Sequence, residues 1–193
     1  MSAGFADPVH DAQRAFRAAL DALSRPGRPV DVGHDIEGLP LGAAMAHLLL
    51  ALTDDDTAVW WQNSAGVALP WLRFHTGAKP ADAPQEAAFA AIVAPLSMPA
   101  LDAFAHGTLA SPEFSTTLVI EVDSLDAGPS LQWHGPGIRD TQAVRVGGLP
   151  NGFWAQWQAN HASFPQGVDV IFTCGAKAIG LPRTTRVSRV EGI

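Results

Sequence analysis

Three stretches in the second half of the chain constrain its fold most: "STTLVIEV" at 115–122, "TQAVRVGG" at 141–148 and "GVDVIFTC" at 167–174. Each is dense in β-branched residues, whose stiff side chains pack better on a pleated surface than along a helix, so each reads as a strand. Between the last two, "NGFWAQWQANHA" at 151–162 sets Phe153, Trp154, Trp157 and His161 at helical spacing. Helix and strand alternate without an internal repeat or a break in composition. This predicts a single α/β domain over residues 1–193, built on a mixed β-sheet flanked by helices.

The first half supplies the flanking helices. Asp7 is placed to cap a helix over 7–24, Pro8 takes its first position and "RPG" at 25–27 ends it. Val9, Ala12, Phe16, Ala19, Leu20 and Leu23 then share the face expected to meet the core. The run "LPLGAAMAHLLLAL" at 39–52 is apolar all round, which predicts a buried second helix. An acidic turn at 54–56 and strands at "TAVWW" and "WLRFHT" (71–76) follow. The loop "GAKPADAP" at 77–84 is the only linker-like stretch.

Composition removes several classes of function. A formal net charge of −7 argues against gripping a nucleic-acid backbone, and no apolar run reaches the ~20 residues that span a bilayer. Cys174 is the sole cysteine, so no internal disulfide forms, and the start "MSAGFADPVHDAQ" lacks a basic region followed by an apolar one. A cytoplasmic, reduced protein without nucleic-acid or membrane partners is expected.

Most catalytic signatures are missing. There is no phosphate-binding G-x-x-x-x-G-K-[ST] loop, G-x-S-x-G elbow or H-E-x-x-H pair, and "GPGIRD" carries Asp140 where a dinucleotide fingerprint needs its third glycine. Seven scattered histidines show no ligand spacing, and no metal site is expected. Asp54, Asp55 and Asp56 read as a solvated turn ahead of a Mg²⁺ site, Cys174 as a small filler ahead of a nucleophile, and Lys177 as a strand-end lysine ahead of a Schiff base. Trp60, Trp61, Trp154 and Trp157 read as core or subunit interface.

Two places hold chemistry suited to an anion. In "HGPGIRD", residues 134–140, a Gly-Pro-Gly turn lies between His134 and Arg139; in "PRTT", Arg183, Thr184, Thr185 and Arg186 offer two guanidinium forks and two hydroxyls. Strand geometry would put Arg183 and Thr185 on one face and Thr184 and Arg186 on the other. If the two places meet, His134, Arg139, Arg183 and Thr185 line one substrate-binding pocket; if not, the first is a chain reversal.

The segments "FRAALDALSRPGRP", "LLLALTDDDTAVW", "HGTLASPEFSTTLVIEV", "LQWHGPGI" and "FPQGVDVIFTCGAKAIGLPRTTRV", taken in order, resemble the PhnH subunit family of the bacterial carbon-phosphorus lyase system. The resemblance covers nearly the whole chain. It implies an accessory subunit that works with partners of the PhnG, PhnI, PhnJ and PhnL type. Together they would join the ribose triphosphate of ATP, supplied with Mg²⁺, to a phosphonate with loss of adenine, before the C–P bond is cut. It implies a fold like the large domain of pyridoxal-phosphate transferases without that cofactor, a homodimer when isolated, and no catalytic residue that can be carried over. A non-catalytic scaffold with no ligand site is the alternative.

Overall fold

In a computed structural model, which describes residues 2–62 and 66–190, the Asp7 carboxylate accepts the backbone N–H groups of Val9 and His10 at 3.2 and 3.1 Å. It thereby caps helix α1, Pro8–Ser24, as expected. The expected face is buried only in part, at Ala19 and, packed partly buried against the core, Leu23. Asp11, Ala15, Ala18, Ala19 and Ala22 turn inward, while Val9, Phe16 and Leu20 are 63, 47 and 53% exposed. The cause is close approach: a Cβ on Gly180 would lie 2.4 Å from the Ala22 carbonyl oxygen, so only alanines fit where α1 meets the sheet.

Helix α2, Ala43–Leu52, begins four residues later than the apolar run. Its first turn is tied down from outside, the Gly42 N–H donating to Glu121 Oε1 at 2.9 Å and the Ala44 N–H to the Gly175 carbonyl at 2.8 Å. Every residue from Ala43 to Leu49 is buried, His47 included, as a helix apolar on nearly every side requires.

A seven-stranded sheet runs through the middle. Its strands are β1 (Val30–Asp31), β2 (Ala58–Trp61), β3 (Lys79–Pro80), β4 (Phe89–Ile92), β5 (Thr117–Glu121), β8 (Asp169–Cys174) and β9 (Lys177–Leu181), in the spatial order β1-β9-β8-β5-β4-β2-β3. From β8 to β3 neighbours are parallel, whereas β9 and β1 are antiparallel, so the sheet is mixed. A small antiparallel sheet, β10-β6-β7, joins β6 (Leu131–His134), β7 (Gln142–Val144) and β10 (Arg186–Arg189).

The twofold alternation of a strand divides the core. Ala91, Val119 and Ile171 face α1, α2 and α3 (Ala68–Thr76), with Met45, Leu48, Leu49, Trp71 and Leu72. Ala90, Ile92, Leu118, Ile120, Val170 and Phe172 face α4 (Phe153–Ala162) and the small sheet, with Trp133, Phe153 and Trp157. Helices therefore flank both faces of the large sheet, the architecture expected from sequence.

Three expectations fail for local reasons. Residues 71–76 lie in α3, where Pro70 occupies the first turn and Gly77, at φ +78°, closes the end; a strand would have mixed apolar and polar groups on both faces. The linker-like stretch 77–84 contains the edge strand β3, where Pro80 is tolerated. Residues 183–185 form a turn between β9 and β10, the Thr185 N–H donating to the Pro182 carbonyl at 2.8 Å, so the split of "PRTT" across strand faces does not arise.

Candidate functional site

The two anion-suited places do meet. Gly135 has φ +146° and Gly137 φ +80°, and the Ile138 N–H closes the turn on the Gly135 carbonyl at 3.1 Å. A Cβ on Gly135 would lie 2.9 Å from the Thr184 carbonyl oxygen, and one on Gly137 only 2.0 Å from that of Ser24. The turn is therefore wedged between the end of α1 and residues 184–185, and the glycines are there because nothing larger fits. His134 stands half-buried at the end of β6, opposite Arg186 of β10. Arg139 is exposed and has no ion-pair partner among the described residues.

Arg183 turns the other way. Its backbone N–H donates to Asp169 Oδ1 at 2.7 Å, its Nε lies 3.2 Å from both carboxylate oxygens, and Nη2 closes the ion pair. Nη1 donates to the carbonyls of Pro112 and Pro165 at 3.0 and 3.3 Å, and Nη2 also to Ser115 Oγ. A guanidinium has five N–H donors, and this set engages all of them. The pair is mostly buried, with side-chain exposures of 12% for Arg183 and 21% for Asp169. The Arg183 carbonyl accepts from His161 Nδ1 at 2.9 Å, which puts the proton of a neutral His161 on that nitrogen.

Thr185 is fully buried. Its carbonyl accepts the Trp157 indole N–H at 2.9 Å, while its Oγ1 and the Trp133 Nε1 have no partner among the described residues. Of the four sequence candidates, His134 and Arg139 thus remain open to a ligand, and Arg183 and Thr185 belong to the interior.

A cleft of about 400 Å³ opens along β6 and β7 of the small sheet, beside Ile179 of β9. Its floor is Leu131, Val144 and Ile179; Ser130, Gln132 and Gln142 supply amide and hydroxyl groups, and Arg145 and Asp126 stand at its rim. Sequence reading missed these residues because their chemistry is ordinary and only the pairing of β6 with β7 gathers them. It also missed Glu121, at the carboxyl end of β5. Burial pushes the Glu121 carboxyl above its ordinary value, opposed by the Gly42 N–H. In parallel sheets that end is where ligands usually sit. Among the described residues no group of three or more His, Cys, Asp or Glu could hold a metal ion. No helix there is long and apolar enough to cross a membrane.

Residues 3–188 match the family described as "Bacterial phosphonate metabolism protein (PhnH)", which puts the chain among proteins of bacterial phosphonate metabolism. The chain belongs to the PhnH family. One relative, the alpha-D-ribose 1-methylphosphonate 5-triphosphate synthase subunit PhnH of Rhizobium meliloti (strain 1021), is 40% identical over 97% of this chain and 96% of its own length. Another, HtxG of Stutzerimonas stutzeri, whose name describes a C-P lyase subunit, is 32% identical over 91% of this chain and 85% of its own.

Proposed function

We propose that the chain is an accessory subunit of the carbon-phosphorus lyase system, required with partner subunits to transfer the ribose triphosphate of ATP onto a phosphonate, with adenine displaced, before the C–P bond is cleaved. The observation that carries this reading is likeness over nearly the full length to a relative named as a subunit of ribose 1-methylphosphonate 5-triphosphate synthase. On this reading the chain does not turn over substrate alone, and ATP with Mg²⁺ is a substrate of the assembly. The isolated protein pairs with itself, and the exposed ridge of Val9, Phe16 and Leu20 along α1 suits a two-fold contact, since one row on one helix can pair with its own copy.

The fold proposed is that of the large domain of pyridoxal-phosphate transferases, serving here without the cofactor. The lysine inventory supports the second half of that statement: an aldimine needs a sheltered lysine, yet Lys177 is exposed at the start of β9 and Lys79 is exposed on the edge strand β3. The alternative, a scaffold with no ligand site, draws support from Arg183 and Thr185, whose polar atoms face the protein itself. His134 and Arg139 are the substrate-binding candidates that decide between the two.

The test is a double substitution, His134→Ala with Arg139→Ala, made in the assembled complex supplied with ATP and a phosphonate. Loss of processing with folding and assembly intact is expected; processing at the normal rate favours the scaffold. Adenine release from ATP and phosphonate by the isolated chain would overturn the accessory role.

A further inference from the structure

The five N–H donors of the Arg183 guanidinium are directed at three separate segments, and two of those segments carry exposed aromatic groups. Its guanidinium ties β8, through Asp169, to the loop 106–116, through Pro112 and Ser115, and to the loop 163–167, through Pro165. The same loops are cross-linked by the Gly167 N–H on the His106 carbonyl at 2.9 Å and by Gln166 Nε2 on the Gly107 carbonyl at 3.1 Å. Within the first loop the Thr108 N–H meets the Ser111 carbonyl at 3.1 Å. This rigid platform presents Leu109, Phe114 and Phe164 to solvent at 74, 75 and 58% exposure. Beside it lies a hollow of about 190 Å³ lined by Leu101, His106, Ala159 and Ser163. Large apolar groups held rigidly in water, next to a hollow, are the anatomy of a docking surface rather than of a mobile loop.

Charge narrows the occupant. The stretches 100–116 and 159–169 that build the platform contain Asp102, Glu113 and Asp169 and no lysine or arginine. Asp169 is matched by Arg183, which leaves Asp102 and Glu113 as an acidic rim. In a two-fold contact between copies this acidic rim would face itself. A different protein with a basic rim meets no such repulsion.

We propose that this platform docks another subunit of the carbon-phosphorus lyase assembly, through an apolar socket on that subunit ringed by lysine or arginine. The inference rests on the accessory-subunit reading, and Arg183 acts in it as a positioning residue.

The experiment titrates the chain into the purified assembly of the remaining subunits and follows binding by sedimentation. Leu109→Ser and Phe114→Ser, whose side chains are exposed and should not disturb folding, are each expected to weaken binding about 30-fold while leaving the isolated chain's own sedimentation unchanged. Glu113→Lys is expected to weaken binding and to reduce its sensitivity to salt. Unchanged affinity in the serine variants overturns the platform while the subunit reading stands. A shift in the isolated chain's sedimentation hands the surface to a second copy and likewise overturns it. Unchanged or tighter binding by Glu113→Lys overturns the basic-rim partner, and failure of the unaltered chain to bind overturns both readings.

Discussion

Arg183 attracts notice in the sequence as an anion ligand, yet its fork is spent on Asp169, Ser115 and two proline carbonyls. Removing it leaves a partly buried carboxylate without its counter-charge, so Arg183→Ala should cost about 3 kcal/mol in urea unfolding. Arg183→Lys should recover only part of that, because one ammonium cannot span acceptors spread around a planar fork. A cost below ~1 kcal/mol for Arg183→Ala would show that the pair is not structural. The partner was within reach of sequence reasoning. β8 and β9 form a hairpin through Gly175 and Ala176, with Val170 opposite Leu181, which sets Asp169 beside the start of "PRTT". The hairpin goes unread because "KAIGL" holds a glycine and two residues of low strand preference. By contrast the Gly-Pro-Gly turn is legible as a turn from composition alone. That it touches residues 184–185 depends on the pairing of β6 with β10, which no local pattern encodes.

Helix α1 shows how an element can be read correctly in extent and wrongly in orientation. It carries two apolar stripes, one of large residues and one of alanines, and weighting by hydrophobicity selects the large one. The sheet selects the small one, because β9 brings Gly180 against the Ala22 backbone. Gly180→Ala should therefore cost about 1–3 kcal/mol by thermal or urea unfolding, since the clash is with backbone that cannot step aside. Phe16→Ser and Leu20→Ser should change stability by less than ~1 kcal/mol yet convert the isolated chain to a monomer in sedimentation. If both remain dimeric, the pairing surface lies elsewhere. The misread α3 has a related origin: Trp71 and Leu72 are adjacent and both buried, a pairing that neither an alternating strand nor a single glance at β-propensity separates from one turn of helix.

At the scale of the whole molecule, two cores share one sheet, and the core on the α2 side carries two ionisable groups, buried His47 and partly buried Glu121, that the alternation of helix and strand does not announce. His47 sits inside the otherwise apolar α2, with the rings of Phe5 and His34 each 5.3 Å from its own and Gly33 against its Nδ1. Burial lowers its pKa from an ordinary 6.5, with smaller contributions from His34 and Arg14, against which Asp11 pulls upward. Glu121, anchoring the start of the same helix, is raised from an ordinary 4.5 by burial. The two act on stability with opposite signs. As pH falls below about 6.5 the unfolded chain takes up a proton at His47 that the folded chain refuses, so folding weakens toward acid. As pH rises from about 4.5 the unfolded chain loses a proton at Glu121 that the folded chain retains, so folding weakens through the raised value. His47→Gln should therefore gain on the unaltered protein progressively as pH is lowered from 7 to 5, and Glu121→Gln should gain on it as pH is raised from 4.5 toward neutrality. Urea midpoints across that range measure both differences, and the reading fails if the two difference profiles slope the same way. Because both groups bear on α2, His47 from its middle and Glu121 of β5 through the Gly42 N–H just before it, the double variant should show a flatter profile than either single one.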